Sequence, residues 1–106
     1  MDKSQKLRAE HFRQMILKDD KWLSRAILAI YARQTPVEQD SAETLIYNKQ
    51  GFSGVHAEFG TSLAKWLLEG RALTPKQAQA ARRIMVHYTG QLVQVAEEKQ
   101  NGNVSM

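Results

Sequence analysis

The chain contains no cysteine. That absence excludes disulfide scaffolds, zinc ribbons, iron–sulfur sites and thiol nucleophiles together. Proline occurs only twice and glycine six times, and no low-complexity linker divides the chain. Long apolar runs are missing as well. The longest, residues 26–32, is seven residues, against the ~20 needed to span a bilayer. The amino end, Met1-Asp2-Lys3-Ser4-Gln5-Lys6, lacks the apolar stretch of a secretory signal. A soluble, cytoplasmic protein with no membrane contact is the expectation.

What is present suffices for one core. The 106 residues are 42% hydrophobic, which suits a single domain with a radius of gyration of about 13 Å and little room for a large catalytic cleft. Fifteen Lys and Arg oppose eleven Asp and Glu, for a net charge of +4. A sequence pI of about 9.6 admits nucleic acid as a partner. The excess divides evenly: residues 1–50 carry nine basic and seven acidic groups, and residues 51–106 six and four. Only residues 65–83 stand out, with Lys65, Arg71, Lys76, Arg82 and Arg83 against Glu69.

Periodicity predicts an all-α fold, a small bundle of four to five helices with a long C-terminal helix. It comprises one helical domain over residues 1–100 and a disordered tail at 101–106. A first helix over 4–18 carries Phe12, Met15 and Ile16. Asp19-Asp20 stops it and caps a second helix over 21–33. The second helix has a wide apolar face of Trp22, Leu23, Ala26, Ile27, Ile30 and Tyr31, which marks it as central. Thr35-Pro36-Val37-Glu38 and Thr74-Pro75-Lys76-Gln77 are both capping boxes with proline at the first helical position. Residues 43–50 read as a short helix or an extended segment. Gly51-Phe52-Ser53-Gly54 is a turn, with Ser53 capping a helix over 54–69 whose stripe is Val55, Phe59, Leu63, Trp66 and Leu67. Gly70 ends that helix. The second box starts the longest helix, running to about Glu98, with Ala78, Ala81, Met85, Tyr88, Leu92 and Val95 on one face. Gly90 within it marks a close approach or a bend. An overhanging stripe on a helix this long would need a partner, which makes a homodimer one hypothesis.

Sites for chemistry are scarce. His56-Ala57-Glu58 has the H-x-E spacing of zinc deaminases, but their thiolate pair is missing. His11, His56 and His87 are isolated, with no i, i+4 pair for a metal. No nucleophile-elbow, phosphate-loop or dinucleotide glycine pattern occurs. A non-enzymatic protein without metal or cofactor is expected. Gly51-Phe52-Ser53-Gly54 matches the G-x-x-G loop of KH domains, but the strands of that fold are missing; a glycine turn is the simpler reading. The segment 54–83 reads as a plain αα-hairpin or as a helix-turn-helix. The latter would present Thr74, Lys76, Gln77, Gln79 and Arg83 to base edges, although its second helix is about twice the usual length. Trp22, Trp66, Tyr31 and Tyr88 fall at helical spacing, as core residues do more often than base-stacking platforms.

Several blocks carry a resemblance: Arg25-Ala26-Ile27-Leu28-Ala29-Ile30-Tyr31-Ala32-Arg33-Gln34-Thr35, Glu38-Gln39, Thr44, Asn48, Gly51-Phe52, Ala57-Glu58-Phe59 and Gly70-Arg71-Ala72-Leu73-Thr74-Pro75-Lys76-Gln77. Over about residues 22–92 the chain resembles small proteins encoded on bacteriophages and other mobile elements. The last block, with Tyr88, is similar to a short helical module of some phage DNA-metabolism proteins. One departure is His56, where an acidic residue is expected. The resemblance implies nucleic-acid metabolism or host interaction and no particular activity.

The expected function is therefore an accessory protein that binds nucleic acid, or a nucleic-acid-processing protein, through Arg71, Lys76, Gln77, Arg82 and Arg83. The alternative is a protein–protein interaction module that modulates a host or phage enzyme without touching nucleic acid.

Overall fold

Asp19 decides where the first two helices part. In the computed structural model, which describes residues 3–34 and 51–105, helix α1 runs over Lys3–Lys18 and helix α2 over Asp20–Tyr31. Between them Asp19 adopts an extended backbone, and its carboxylate accepts from the N–H groups of Lys21 and Trp22. These are donors that the first helical turn leaves without an internal partner. The capping box at 35–38 and the ambiguous segment 43–50 lie outside the described residues.

Helix α3 spans Ala57–Leu68, helix α4 Pro75–Met85 and helix α5 Thr89–Ser105, with a 3₁₀ turn at Val86–Tyr88 between the last two. The fold is all-α, with no strand among the described residues. Helix α2 is central and packs on α1, α3, α4 and α5. Its Leu23, Ile27 and Ile30 are wholly buried and Ala26 nearly so. The wide apolar face read from the sequence is this buried surface, with Trp22 and Tyr31 half-exposed at its margins.

Helix α3 departs from its expected form. It begins at Ala57, three residues later than a Gly54 start, and His56 in the cap position makes no side-chain capping bond. Ser53 is engaged elsewhere, as described below. The buried face is not the large-residue stripe. Val55 is 88% exposed, and Phe59, Trp66 and Leu67 are half-buried. The helix instead turns Ala57, Gly60, Thr61 and Ala64 inward together with Leu63. The physical reason is Phe52. This ring is 1% exposed and lies against Gly60, where a Cβ would come within 2.5 Å of it. Small residues let α3 approach the ring closely. Glu69 and Gly70 then end the helix. Gly70 takes φ +87, a left-handed conformation that costs glycine little, and its N–H donates to Leu67 O at 2.9 Å.

The second capping box forms as the sequence predicts. Thr74 Oγ1 accepts the Gln77 N–H, and the Gln77 side chain accepts the Thr74 N–H. The helix it starts does not continue to Glu98 in one piece. The 3₁₀ turn interrupts it, and α5 then continues through Ser105, into the segment read as a tail. In a 3₁₀ turn, side chains three apart eclipse, so Met85 and Tyr88 both enter the core, at 1% and 6% exposure. The interruption is thus at Val86–Tyr88 and not at Gly90, where a methyl group would meet nothing within 4 Å.

The two glycines should respond oppositely to alanine. Gly60→Ala gains about 1 kcal/mol of helix propensity but overlaps a buried ring, at a cost of about 1–3 kcal/mol. A net loss of stability is expected in urea denaturation. Gly90→Ala in open space should gain up to about 1 kcal/mol.

Candidate nucleic-acid interface

The corner between α3 and α4 is built around Trp66. Near the end of α3, its indole Nε1–H donates to Ala72 O at 2.9 Å, which ties the helix to the six-residue connection 69–74. The Arg71 guanidinium carbon lies 4.5 Å from the Trp66 ring centroid, a distance at which the cation is attracted to the ring face. Arg71 Nε also pairs with Glu69 at 3.3 Å. Arg71 nevertheless keeps 57% of its side chain exposed.

From this corner α4 presents a polar outer face. Ala78, Ala81 and Met85 are buried, and the opposite side exposes Lys76, Gln79 and Arg83. Lys76 and Arg83 are two helical turns apart and share one stripe, which His87 extends in the following turn. Lys65 is exposed on α3. Lys65, Lys76 and Arg83 make no ion pair among the described residues.

Of the five residues expected to bind nucleic acid, the structure leaves Arg71, Lys76 and Arg83 exposed, and gives the half-buried Gln77 and Arg82 hydrogen bonds within the protein. Gln77 spends its side-chain carbonyl on the Thr74 N–H at 2.8 Å. Arg82 points inward: its Nε–H donates to Ile16 O at 3.1 Å, and its terminal nitrogen pairs with Asp20. Arg82 thus holds α4 to the end of α1 and the start of α2. It serves the bundle, because consecutive helical residues are about 100° apart and Arg83 alone falls on the outer stripe.

The interruption after Met85 also alters the helix-turn-helix reading. Helix α4 has 11 residues, so excessive length no longer counts against it. The geometry does. The connection is six residues where that motif has three or four, and α3 and α4 each pack chiefly on α2. The arrangement is two helices joined by a six-residue corner, each seated on the central helix.

One polar cluster has no sequence signal at all. Gln91 exchanges two 2.9 Å hydrogen bonds with the Gly51 backbone. Tyr88 Oη accepts the Ser53 N–H at 3.0 Å and lies 2.7 Å from His56 Nδ1 and 3.2 Å from Ser53 Oγ. Ser53 Oγ lies 3.3 Å from His56 Nδ1, so the three side chains close a triangle of polar contacts. Together these bonds fasten loop 51–56 to the start of α5. His56 and Tyr88 are 32 residues apart, so only the fold brings them together. Burial, and secondarily the neighbouring His87, pull the His56 pKa below its ordinary 6.5. Among the described residues, no group of three or more His, Cys, Asp or Glu is placed to hold a metal, and no helix is long and apolar enough to cross a membrane.

Two expectations follow. A His56 pKa lowered by folding means that the unfolded chain takes up the proton first as pH falls. The stabilisation is complete above about pH 6.5 and is lost as pH drops through the folded-state value. Melting temperature should therefore fall between pH 7.5 and 5, with a smaller slope in His56→Gln. Separately, Arg82→Met should lower stability by about 1–3 kcal/mol through its lost charged hydrogen bonds, and Arg83→Met should stay within about 0.5 kcal/mol of the parent. Compared with known protein families, characterised proteins and solved structures, the chain has no match.

Proposed function

We propose that this chain is a non-enzymatic accessory protein that binds nucleic acid through the corner of α3 and α4, in the mobile-element setting its sequence pattern resembles. The observation that carries the reading is the division of α4. Its alanine and methionine face is spent on the core, and Lys76 and Arg83 stand on one outer stripe beside Arg71 and Lys65. Four exposed cations against Glu69, itself engaged by Arg71, suit a polyanion. Cations of this kind neutralise phosphates and release counterions, which gives affinity without base specificity.

One observation favours a second reading. A shallow apolar groove of about 220 Å³ lies between α1, α2 and α5, lined by Phe12, Trp22, Ala26, Ala29, Leu92 and Val95. Such a groove suits an apolar side chain of a protein partner, as an interaction module acting on a host or phage enzyme would require.

Salt separates the two. With about four phosphate contacts, raising salt from 50 to 200 mM should weaken oligonucleotide binding roughly 50- to 150-fold, measured by fluorescence anisotropy. Absence of binding at ~50 mM salt would contradict the nucleic-acid reading. Recovery of one protein partner from nuclease-treated bacterial lysate would then favour the second.

A further inference from the structure

Trp66 differs from the molecule's other tryptophan in what covers it. Trp22 packs its ring against other rings, with Phe12 at 5.3 Å and His11 at 6.2 Å between centroids. Trp66 instead carries the guanidinium of Arg71 on its face. The indole cannot rotate freely, because its N–H is held by Ala72 O. The guanidinium is held in turn by Glu69. The result is a fixed aromatic ring with a planar cation laid over it, at a corner where Arg71 is more exposed than buried. A guanidinium is weakly hydrated on its faces and stacks on π systems, so its outer side offers a flat, positively charged surface to a second ring.

We propose that Trp66 and Arg71 form a stacking plate for an unpaired nucleobase, so that the ligand of this surface is a single strand. The inference rests on the nucleic-acid reading above and narrows it. Bases in a duplex have both faces occupied by their neighbours and can be read only at their edges, by an element placed in a groove. Here the six-residue connection and the separate seating of α3 and α4 on α2 are unlike the compact unit that places a recognition helix. A single strand offers bare base faces, which stack on aromatic rings and guanidinium planes regardless of sequence. Lys65 precedes Trp66 directly, and Lys76 lies in the first turn of the next helix, so phosphate-binding cations flank the plate along the chain.

The test uses the full chain carrying Trp22→Phe, which leaves Trp66 as the only tryptophan. At ~50 mM salt it is titrated with oligo(dT), oligo(rU), an abasic strand and a duplex, all matched in length. The two base-bearing strands should bind about 5-fold or more tighter than the abasic strand and the duplex, and by settling on Arg71 should perturb Trp66 fluorescence. Arg71→Lys keeps the charge and removes the plane, and should reduce the single-strand affinity to that of the abasic strand. Equal binding of all four ligands with unchanged fluorescence would overturn the plate and leave the electrostatic surface standing. Absence of binding to all four would overturn both.

Discussion

The burial of one face of α2 is the constraint on which the rest depends. Leu23, Ile27 and Ile30 have no exposed surface, and burying each such side chain contributes about 1.5–3 kcal/mol. Helices α1, α3, α4 and α5 all pack against α2, so its position sets the rotation of each. For α4 the consequence is direct. Ala78, Ala81 and Met85 must face inward, which leaves Lys76 and Arg83 facing out. The charge at the surface is a result of the core's phase.

The same logic separates two adjacent arginines. Arg82 lies close enough to the inward face to reach Ile16 O and Asp20, and Arg83 falls beyond it in solvent. One secures the bundle and the other is available to a ligand. Gln77 divides its side chain, since its carbonyl oxygen closes the capping box and its NH2 group makes no bond within it. The corner at Trp66 combines both duties. Its hydrogen bond to Ala72 and its contact with Arg71 order the turn, and that order fixes the exposed guanidinium.

Much of the fold was legible because it is decided locally. Asp19 as a cap, the Thr74 box and Gly70 at a helix end each depend on a few neighbouring residues. The central place of α2 was legible from the width of its apolar face. The inward face of α3 was not, because Ala57, Gly60 and Ala64 carry little hydrophobic signal and are selected by the Phe52 ring, which the sequence does not place. Nor was the interruption at Val86–Tyr88, where no proline or glycine marks the change. At the candidate site, charge alone pointed to Arg71, Lys76 and Arg83. The inward turn of Arg82 depends on an acceptor 66 residues away, and the Ser53, His56 and Tyr88 cluster on a contact equally remote from local pattern.

The central claim is that ligand meets the α3–α4 corner and not the groove between α1, α2 and α5. Backbone and indole chemical-shift mapping of the labelled protein, titrated with a short oligonucleotide at ~50 mM salt, addresses it most directly. Shifts are expected at Lys65, Trp66, Arg71, Lys76 and Arg83, including the Trp66 indole N–H, with Leu23, Ile27 and the Trp22 indole unmoved. Shifts confined to Phe12, Trp22, Leu92 and Val95 would contradict it.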